Sequence, residues 1–101
     1  MLTINKTTQN GVVTFELEGR LDSASASELE TVVNGSIEEA KAVVFDFTKL
    51  AYLSSAGLRI LLTTQQAMED TNRPDVTVKG ANKDIKGVFA VTGFDKVLKV
   101  E

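Results

Sequence analysis

The sequence predicts an α/β fold, in which a mixed sheet of four or five strands packs against helices. Near the amino end, apolar and polar residues alternate on both sides of Asn10-Gly11, which indicates a β-hairpin. Farther along, segments with apolar residues at helical spacing alternate with short runs rich in β-branched and aromatic residues. This order favours parallel strands joined by right-handed crossovers. Because no linker-like segment or internal repeat divides the 101 residues, we expect a single domain spanning residues 1–101.

The predicted hairpin is followed by a helix and a central strand. The apolar positions that alternate along the two hairpin strands are Leu2, Ile4, Val13, Phe15 and Leu17. Ser25 and Glu28 have the spacing of a capping box, so a helix is predicted from about Ser25 to Asn34. The nearly continuous apolar run at 42–47 predicts a strand at the centre of the sheet, covered on both faces.

The second half of the chain supplies the longest predicted helix. Residues 50–53 are predicted to form a turn, after which apolar residues recur on one face from Ser55 to about Asp70. Beyond Pro74, the pattern predicts a strand at 76–79, a short helix opened by Gly80 and Asn82 and ended by Gly93, and an edge strand at 97–100.

Composition excludes several functional classes. The chain has neither Cys nor His, so it lacks thiolate nucleophiles, the usual base of a serine triad and the commonest zinc ligand. We therefore expect no catalytic residues, no metal site and no cofactor. The net charge is −3 and the basic residues form no stripe, so nucleic acid is not an expected partner. Since no apolar run approaches the roughly 20 residues that span a bilayer, and the amino end is too polar for a signal peptide, we expect a cytoplasmic protein without direct membrane insertion.

The candidate site is the pair Ser54-Ser55 at the start of the longest predicted helix. A serine there can cap free N–H groups, and a phosphate would meet the same donors and the positive end of the helix dipole. Open α/β sheets tend to place binding functions at the carboxyl ends of their strands, where this turn would lie. Gly57 costs about 1 kcal/mol of helix propensity relative to alanine, and its missing side chain would allow another surface to approach. A capping role and a modifiable hydroxyl both remain open.

Four segments stand in order over nearly the whole chain: Gly19-Arg20-Leu21-Asp22, Val44-Phe45-Asp46-Phe47, Tyr52-Leu53-Ser54-Ser55-Ala56-Gly57-Leu58-Arg59 and Val91-Thr92-Gly93-Phe94-Asp95-Lys96-Val97. Together they resemble the successive motifs of STAS domains, specifically those of stand-alone bacterial anti-sigma factor antagonists. The resemblance implies a partner-switching protein. Its unphosphorylated form would bind an anti-sigma factor, commonly a serine protein kinase of the histidine-kinase-like ATPase type, and so free the sigma factor. The kinase would then phosphorylate the antagonist, and a serine phosphatase would reset it.

The resemblance also implies which residues act. In such proteins the modified hydroxyl lies at the helix start in an Asp-Ser-x-Gly pattern, and the matching residue here is Ser55, with Gly57 as the glycine. Ser54 stands where many members carry an acidic residue, and it is the alternative phosphorylation site. Asp22 matches a family position beside the modified serine. The predicted partner-binding residues are Asp22, Ser23, Ser54, Ser55, Ala56, Gly57 and Arg59.

Plainer roles fit several of these residues, and Ser54 fits the N-cap of the longest predicted helix. Asp22 equally fits a cap for the first helix, and Asp46 fits a turn or strand-end carboxylate better than a catalytic group. Arg59 and Gln66 also fit solvated positions on an amphipathic helix.

Two other functional classes stay in play. Small STAS proteins also resemble accessory subunits of lipid-transporting ABC systems, which is the alternative function. An enzymatic function is the least supported class, so we expect the chain to have no catalytic activity. The free chain is expected to be a monomer, because Lys96, Lys99 and Glu101 place charge near the terminal edge strand.

Overall fold

The computed structural model describes all of residues 1–101, and it contains one five-stranded sheet whose strands lie side by side in chain order. The strands are β1 (Leu2–Gln9), β2 (Val12–Leu21), β3 (Ala42–Leu53), β4 (Thr77–Lys79) and β5 (Lys99–Val100). The pair β1–β2 is antiparallel and the other three pairs are parallel. The predicted mixed sheet is therefore confirmed, with β3 at its centre.

Three helices and a 3-10 turn connect the parallel strands. They are α1 (Ser23–Asn34), α2 (Ser55–Asp70), α3 (Lys83–Thr92) and the turn Phe94–Lys96. At 16 residues α2 is the longest helix, and it begins and ends at the predicted residues. The predicted end of α3 at Gly93 is also confirmed, since Gly93 has a left-handed φ of 80° that favours glycine. None of the helices has the length and apolar character that crossing a membrane requires.

The β1–β2 hairpin closes through a two-residue turn. Asn10 and Gly11 have φ values of 55° and 83°, the left-handed conformation that a type I′ turn requires at both positions. Gln9 pairs with Val12 on the two sides of the turn. The hairpin predicted from Asn10-Gly11 is confirmed.

Only one face of the sheet is covered by the helices. Phe45 and Phe47 of β3 are buried, and the ring of Phe45 stacks on that of Phe15 in β2 at 5.3 Å between centroids. On the other face of β3, Val44 and Asp46 are only half-buried. The prediction that this strand is covered on both faces is wrong. Val44 is shielded in part by its neighbours on β2 and β4, which is why an apolar residue persists on the open face.

The strand β3 continues through the residues that were predicted to form a turn. Leu50, Tyr52 and Leu53 pair with Gly19, Arg20 and Leu21 of β2, so the turn predicted at 50–53 is wrong. The pairing register shifts between Glu16 and Glu18 and again between Gly19 and Arg20. Because of these shifts, Leu50 and Leu53 are both buried although they are three residues apart. The simple two-residue alternation that identifies a strand is therefore broken here.

The helix α1 begins two residues before its predicted start. Its N-cap is Asp22, whose carboxylate accepts from the N–H of Ser25, while the Ser25 hydroxyl accepts from the N–H of Asp22. The capping box is therefore formed by Asp22 and Ser25 and not, as predicted, by Ser25 and Glu28. Ser25 is buried within the first turn, which its small polar side chain permits.

The last two strands are shorter than predicted. β4 begins at Thr77, and β5 comprises only Lys99 and Val100 at the sheet edge. The N–H groups of Val97 and Leu98 donate to the Phe94 carbonyl, at 3.0 and 2.8 Å. These bonds extend the preceding 3-10 turn, so strand pairing starts only after Leu98.

Candidate functional site

The starts of three helices meet one edge of the sheet, beyond the carboxyl ends of parallel strands. The N-cap residues of α1, α2 and α3 are Asp22, Ser54 and Asn82. The N–H of Ser54 donates to the Leu21 carbonyl at 2.9 Å, which places Ser54 beside Asp22. The Asn82 side chain donates to the Leu50 carbonyl at 3.3 Å and ties α3 to the same part of β3. The structure thus brings together the Asp22 and Ser54-Ser55 segments that the sequence analysis selected.

The two adjacent serines have different surroundings. Ser54 is half-buried, and its hydroxyl oxygen accepts from the N–H of Gly57 at 3.3 Å, so it caps α2. Ser55 is the first residue of α2, its side chain is exposed, and its hydroxyl has no hydrogen-bond partner. The capping role predicted for Ser54 is therefore present in the structure, and Ser55 supplies the free hydroxyl.

Asp22 is held in place by its own helix. Its carboxylate accepts from the N–H groups of Ala24 and Ser25 and from the Ser25 hydroxyl, at 3.0 to 3.1 Å. These hydrogen bonds, above all those from Ser25, lower the pKa of the Asp22 carboxyl below its ordinary value. The next residue, Ser23, is exposed at the start of α1. Asp22 thus fills the capping role that the sequence left open, and its contact with a partner stays a prediction.

We expect Asp22→Asn to weaken the dependence of stability on acid pH. Because the folded-state pKa of Asp22 is lowered, its ionised form contributes stability above the unfolded-state pKa of about 3.9, and that contribution disappears as the pH falls through the folded-state value. Asparagine caps helices about as well as aspartate, so the helix should remain. Urea unfolding of both proteins from neutral pH down to about pH 2 measures the effect.

The control for this variant is Asp95→Asn, at an exposed position whose carboxylate accepts no hydrogen bond. Asp95→Asn removes one exposed carboxylate but no helix cap, so it shows what the loss of a negative charge alone does to stability. The profile of Asp22→Asn should still slope, because the pKa of Asp46 is also lowered: burial opposes this, but hydrogen bonds from Thr48 and the nearby Lys79 and Lys49 outweigh it. Equal acid losses in the wild type and in Asp22→Asn would show that the capping carboxylate does not contribute.

Gly57 makes room for this chain's own side chains. A Cβ atom at Gly57 would lie 2.7 Å from Leu53 Cδ1 and 2.8 Å from Leu21 Cδ2. Gly57 is itself buried, and the neighbouring Ala56 is half-buried. The space at Gly57 is thus occupied by Leu53 and Leu21, which directly precede Ser54 and Asp22. The contact of Gly57 with a partner stays a prediction.

Tyr52 and Arg20, an aromatic and an arginine that flank the serines, were not among the predicted site residues. The guanidinium of Arg20 lies 4.3 Å from the centre of the Tyr52 ring, a cation–π contact, and Tyr52 is 41% exposed. The two residues are register partners on β2 and β3. Both residues belong to the quoted motifs. Their contact could be inferred only if β3 were known to continue to Leu53 and to pair there with β2.

A shallow apolar groove adjoins the start of α2. Its volume is about 260 Å³, and it is lined by Ala51, Tyr52, Leu53, Asp84, Ile85 and Val88. The groove lies between the end of β3 and α3, and Leu53 directly precedes Ser54. Apolar surface is therefore available beside the serines, which sequence analysis did not anticipate.

Asp46 does not belong to this site. Its carboxylate accepts from the N–H and hydroxyl of Thr48 at 3.0 and 2.6 Å, and it lies 4.0 Å from the Lys79 ammonium. It pairs with Glu16 in the middle of the sheet, seven residues before the end of β3. Asp46 and Asp22 therefore form no carboxylate pair. The turn or strand-end position predicted for Asp46 is wrong, because the residue lies within β3.

Comparison with known proteins identifies the family. A family model described as "STAS domain" matches residues 3–101, and the chain belongs to that family. One relative is the anti-sigma-F factor antagonist RsfB of Mycobacterium tuberculosis, which is 26% identical over 100 residues, covering 98% of this chain and 80% of RsfB.

Solved structures show the same fold. A crystal structure of an anti-sigma factor antagonist from Mycobacterium paratuberculosis has a TM-score of 0.88 at 23% identity, over 99% of this chain and 85% of that chain. The Bacillus cell fate determinant SpoIIAA in its phosphorylated form has a TM-score of 0.79 at 15% identity, over 98% of this chain and 91% of that chain. These results confirm the α/β STAS fold and the resemblance drawn from the four motifs.

Proposed function

We propose that this chain is an anti-sigma factor antagonist controlled by phosphorylation of Ser55. In its unphosphorylated form it binds an anti-sigma factor that is also a serine protein kinase of the histidine-kinase-like ATPase type, and this binding frees the sigma factor. The observation that carries the proposal is the exposed, unbonded hydroxyl of Ser55 at the first position of α2. The name of RsfB and the existence of a phosphorylated SpoIIAA with this fold support it.

The local geometry favours Ser55 over Ser54 as the modified residue. A kinase must reach the hydroxyl and deprotonate it, and only that of Ser55 is both exposed and free. Phosphorylation of Ser54 would place a bulky group on the oxygen that caps α2 through the N–H of Gly57. The phosphate on Ser55 would instead gain a favourable interaction with the helix dipole.

The partner surface that we propose surrounds the two serines. It comprises Asp22, Ser23, Ser54, Ser55, Ala56 and Arg59, with Gly57 contributing through the packing beneath it. The contact between Arg20 and Tyr52 borders this surface. In this scheme a serine phosphatase restores the binding form, and the free antagonist is a cytoplasmic monomer.

Mass spectrometry of the protein isolated from its native cells tests the proposal. We expect one phosphate, removable by phosphatase, on the fragment ion that contains Ser55, and none on Ser23. Ser23 is the internal control, because it too is an exposed serine at the first position of a helix. Phosphate on Ser54 would retain the switch and correct the residue. A chain that is never phosphorylated, yet is always bound to a transporter ATPase, would contradict the proposal and favour the accessory-subunit alternative.

A further inference from the structure

We propose that Arg59 is the intramolecular partner of a phosphate on Ser55. This inference rests on the proposed function, because it concerns how the phosphorylated form is organised. Ser55 and Arg59 are both exposed residues of α2 and are four residues apart, so their side chains lie one above the other on the same side of the helix.

Arg59 is the one arginine of the chain without a partner. Of the three arginines, Arg20 lies over the Tyr52 ring, and Arg73 donates to the carbonyls of Ile37 and Ala40 at 2.5 and 2.7 Å. The Arg59 guanidinium makes neither a hydrogen bond nor a salt bridge, although an exposed arginine readily pairs with an acid one turn away.

The sequence around Arg59 explains why it is unpaired. On a helix its nearest neighbours are the residues three and four positions away, which are Ser55, Ala56, Leu62 and Thr63. None of them is acidic, and the first turn of α2 contains no acidic residue. Phosphorylation of Ser55 would supply the missing anion in the favourable order, with the negative group on the amino-terminal side of the positive one. The planar guanidinium matches phosphate oxygens in a bidentate arrangement.

The other charged side chains near the start of α2 either already have a partner or would repel phosphate. Arg20 on β2 is stacked on Tyr52, and Asp22 before α1 accepts hydrogen bonds from its own helix. Asp84 on α3 lines the groove beside Leu53 and is negative. The Met1 ammonium acts on Asp22, whose pKa it helps to lower. Arg59 is thus the one cation on the helix that carries the phosphate. Its capture would also withdraw a positive charge from the surface that faces the partner, so that one modification changes two residues of that surface.

A phosphorus NMR titration tests this pairing without the kinase or the partner. Phosphoserine is installed at position 55 during protein synthesis, in the otherwise unchanged chain and in Arg59→Gln, Arg59→Lys and Lys41→Gln. Loss of the cation in Arg59→Gln should raise the second pKa of the phosphate, ordinarily about 6, by about 0.3, as an i,i+4 ion pair implies. Arg59→Lys should keep part of the effect, and about 1 M salt should reduce the difference between the variants.

Lys41→Gln is the matched control, because it removes one exposed positive charge at the opposite end of β3. Its phosphate should titrate as in the chain with Arg59 and Lys41 both present, since screening limits exposed charges to a range of about 10 Å. An unchanged pKa in Arg59→Gln, or an equal rise in both Gln variants, would overturn the pairing. Such a result would leave the proposed function intact, because that function fails only if native Ser55 carries no phosphate or if the phosphate does not affect partner binding.

Discussion

Phosphoserine at position 55 is expected to weaken binding to the anti-sigma factor by a factor of a hundred or more. The phosphate carries about −1.5 to −2 charges at neutral pH, and burying it against a partner without a compensating cation costs several kcal/mol. A hundredfold loss in affinity requires only about 2.8 kcal/mol. The dipole of α2 stabilises the phosphorylated chain by about 0.3 to 1 kcal/mol whether or not a partner is bound, so it does not reduce this loss of affinity to a large extent. Calorimetry with the unmodified chain and with the chain carrying phosphoserine at 55 measures the difference.

The control for this measurement carries phosphoserine at position 27. Ser27 is an exposed serine of α1 that lies outside the proposed partner surface. A general effect of charge would weaken binding equally at both positions, whereas a specific switch should be clearly stronger at Ser55. Ser55→Ala should bind like the unmodified chain and no longer respond to the kinase. Undiminished affinity of the chain with phosphoserine at 55 would contradict the proposed switch.

The switch is expected to operate without refolding. Ser55 lies outside the core, and its hydroxyl makes no hydrogen bond that phosphate would break. The amide spectrum of the phosphorylated chain should therefore change only near the starts of α1 and α2. Widespread changes across the strands would show that release proceeds through a different backbone structure.

Elements with strong local signals could be predicted from the sequence. The hairpin follows from Asn10-Gly11, and α2 from the apolar spacing between Ser55 and Asp70. Local patterns failed where partners distant in sequence decide the structure. The strand β3 continues to Leu53 because β2 pairs with it through two register shifts. The burial of only one sheet face also depends on how the helices pack, which the apolar run at 42–47 does not specify.

The residues of the candidate site and the capping role of Ser54 were predictable from the sequence, but the contacts around them were not. The motifs selected Asp22 and Ser54-Ser55, and the structure places them side by side. Which serine caps α2 depends on a single hydrogen bond to Gly57. The Arg20–Tyr52 contact requires the cross-strand register, which the sequence does not display.

Gly57→Ala is expected to lower the free energy of unfolding by about 1 to 3 kcal/mol. Within a helix, replacing glycine by alanine ordinarily raises the free energy of unfolding by about 1 kcal/mol. The new methyl group would overlap with Leu21 and Leu53, whose side chains are 0% and 7% exposed. Well-packed leucines have little space into which to rotate. Urea unfolding at neutral pH measures the change in the free energy of unfolding.

Gly87→Ala in α3 is the matched control, because a Cβ atom there meets nothing within 4 Å. This variant should show the ordinary gain of about 0.5 to 1 kcal/mol, so the two substitutions should change stability in opposite directions. A Gly57→Ala protein as stable as Gly87→Ala would show that the leucines can move aside. Because Leu21 and Leu53 directly precede the caps Asp22 and Ser54, their displacement should also weaken partner binding, whereas Gly87→Ala leaves those caps in place. The glycine of the motif would then act on binding through the packing beneath the serines.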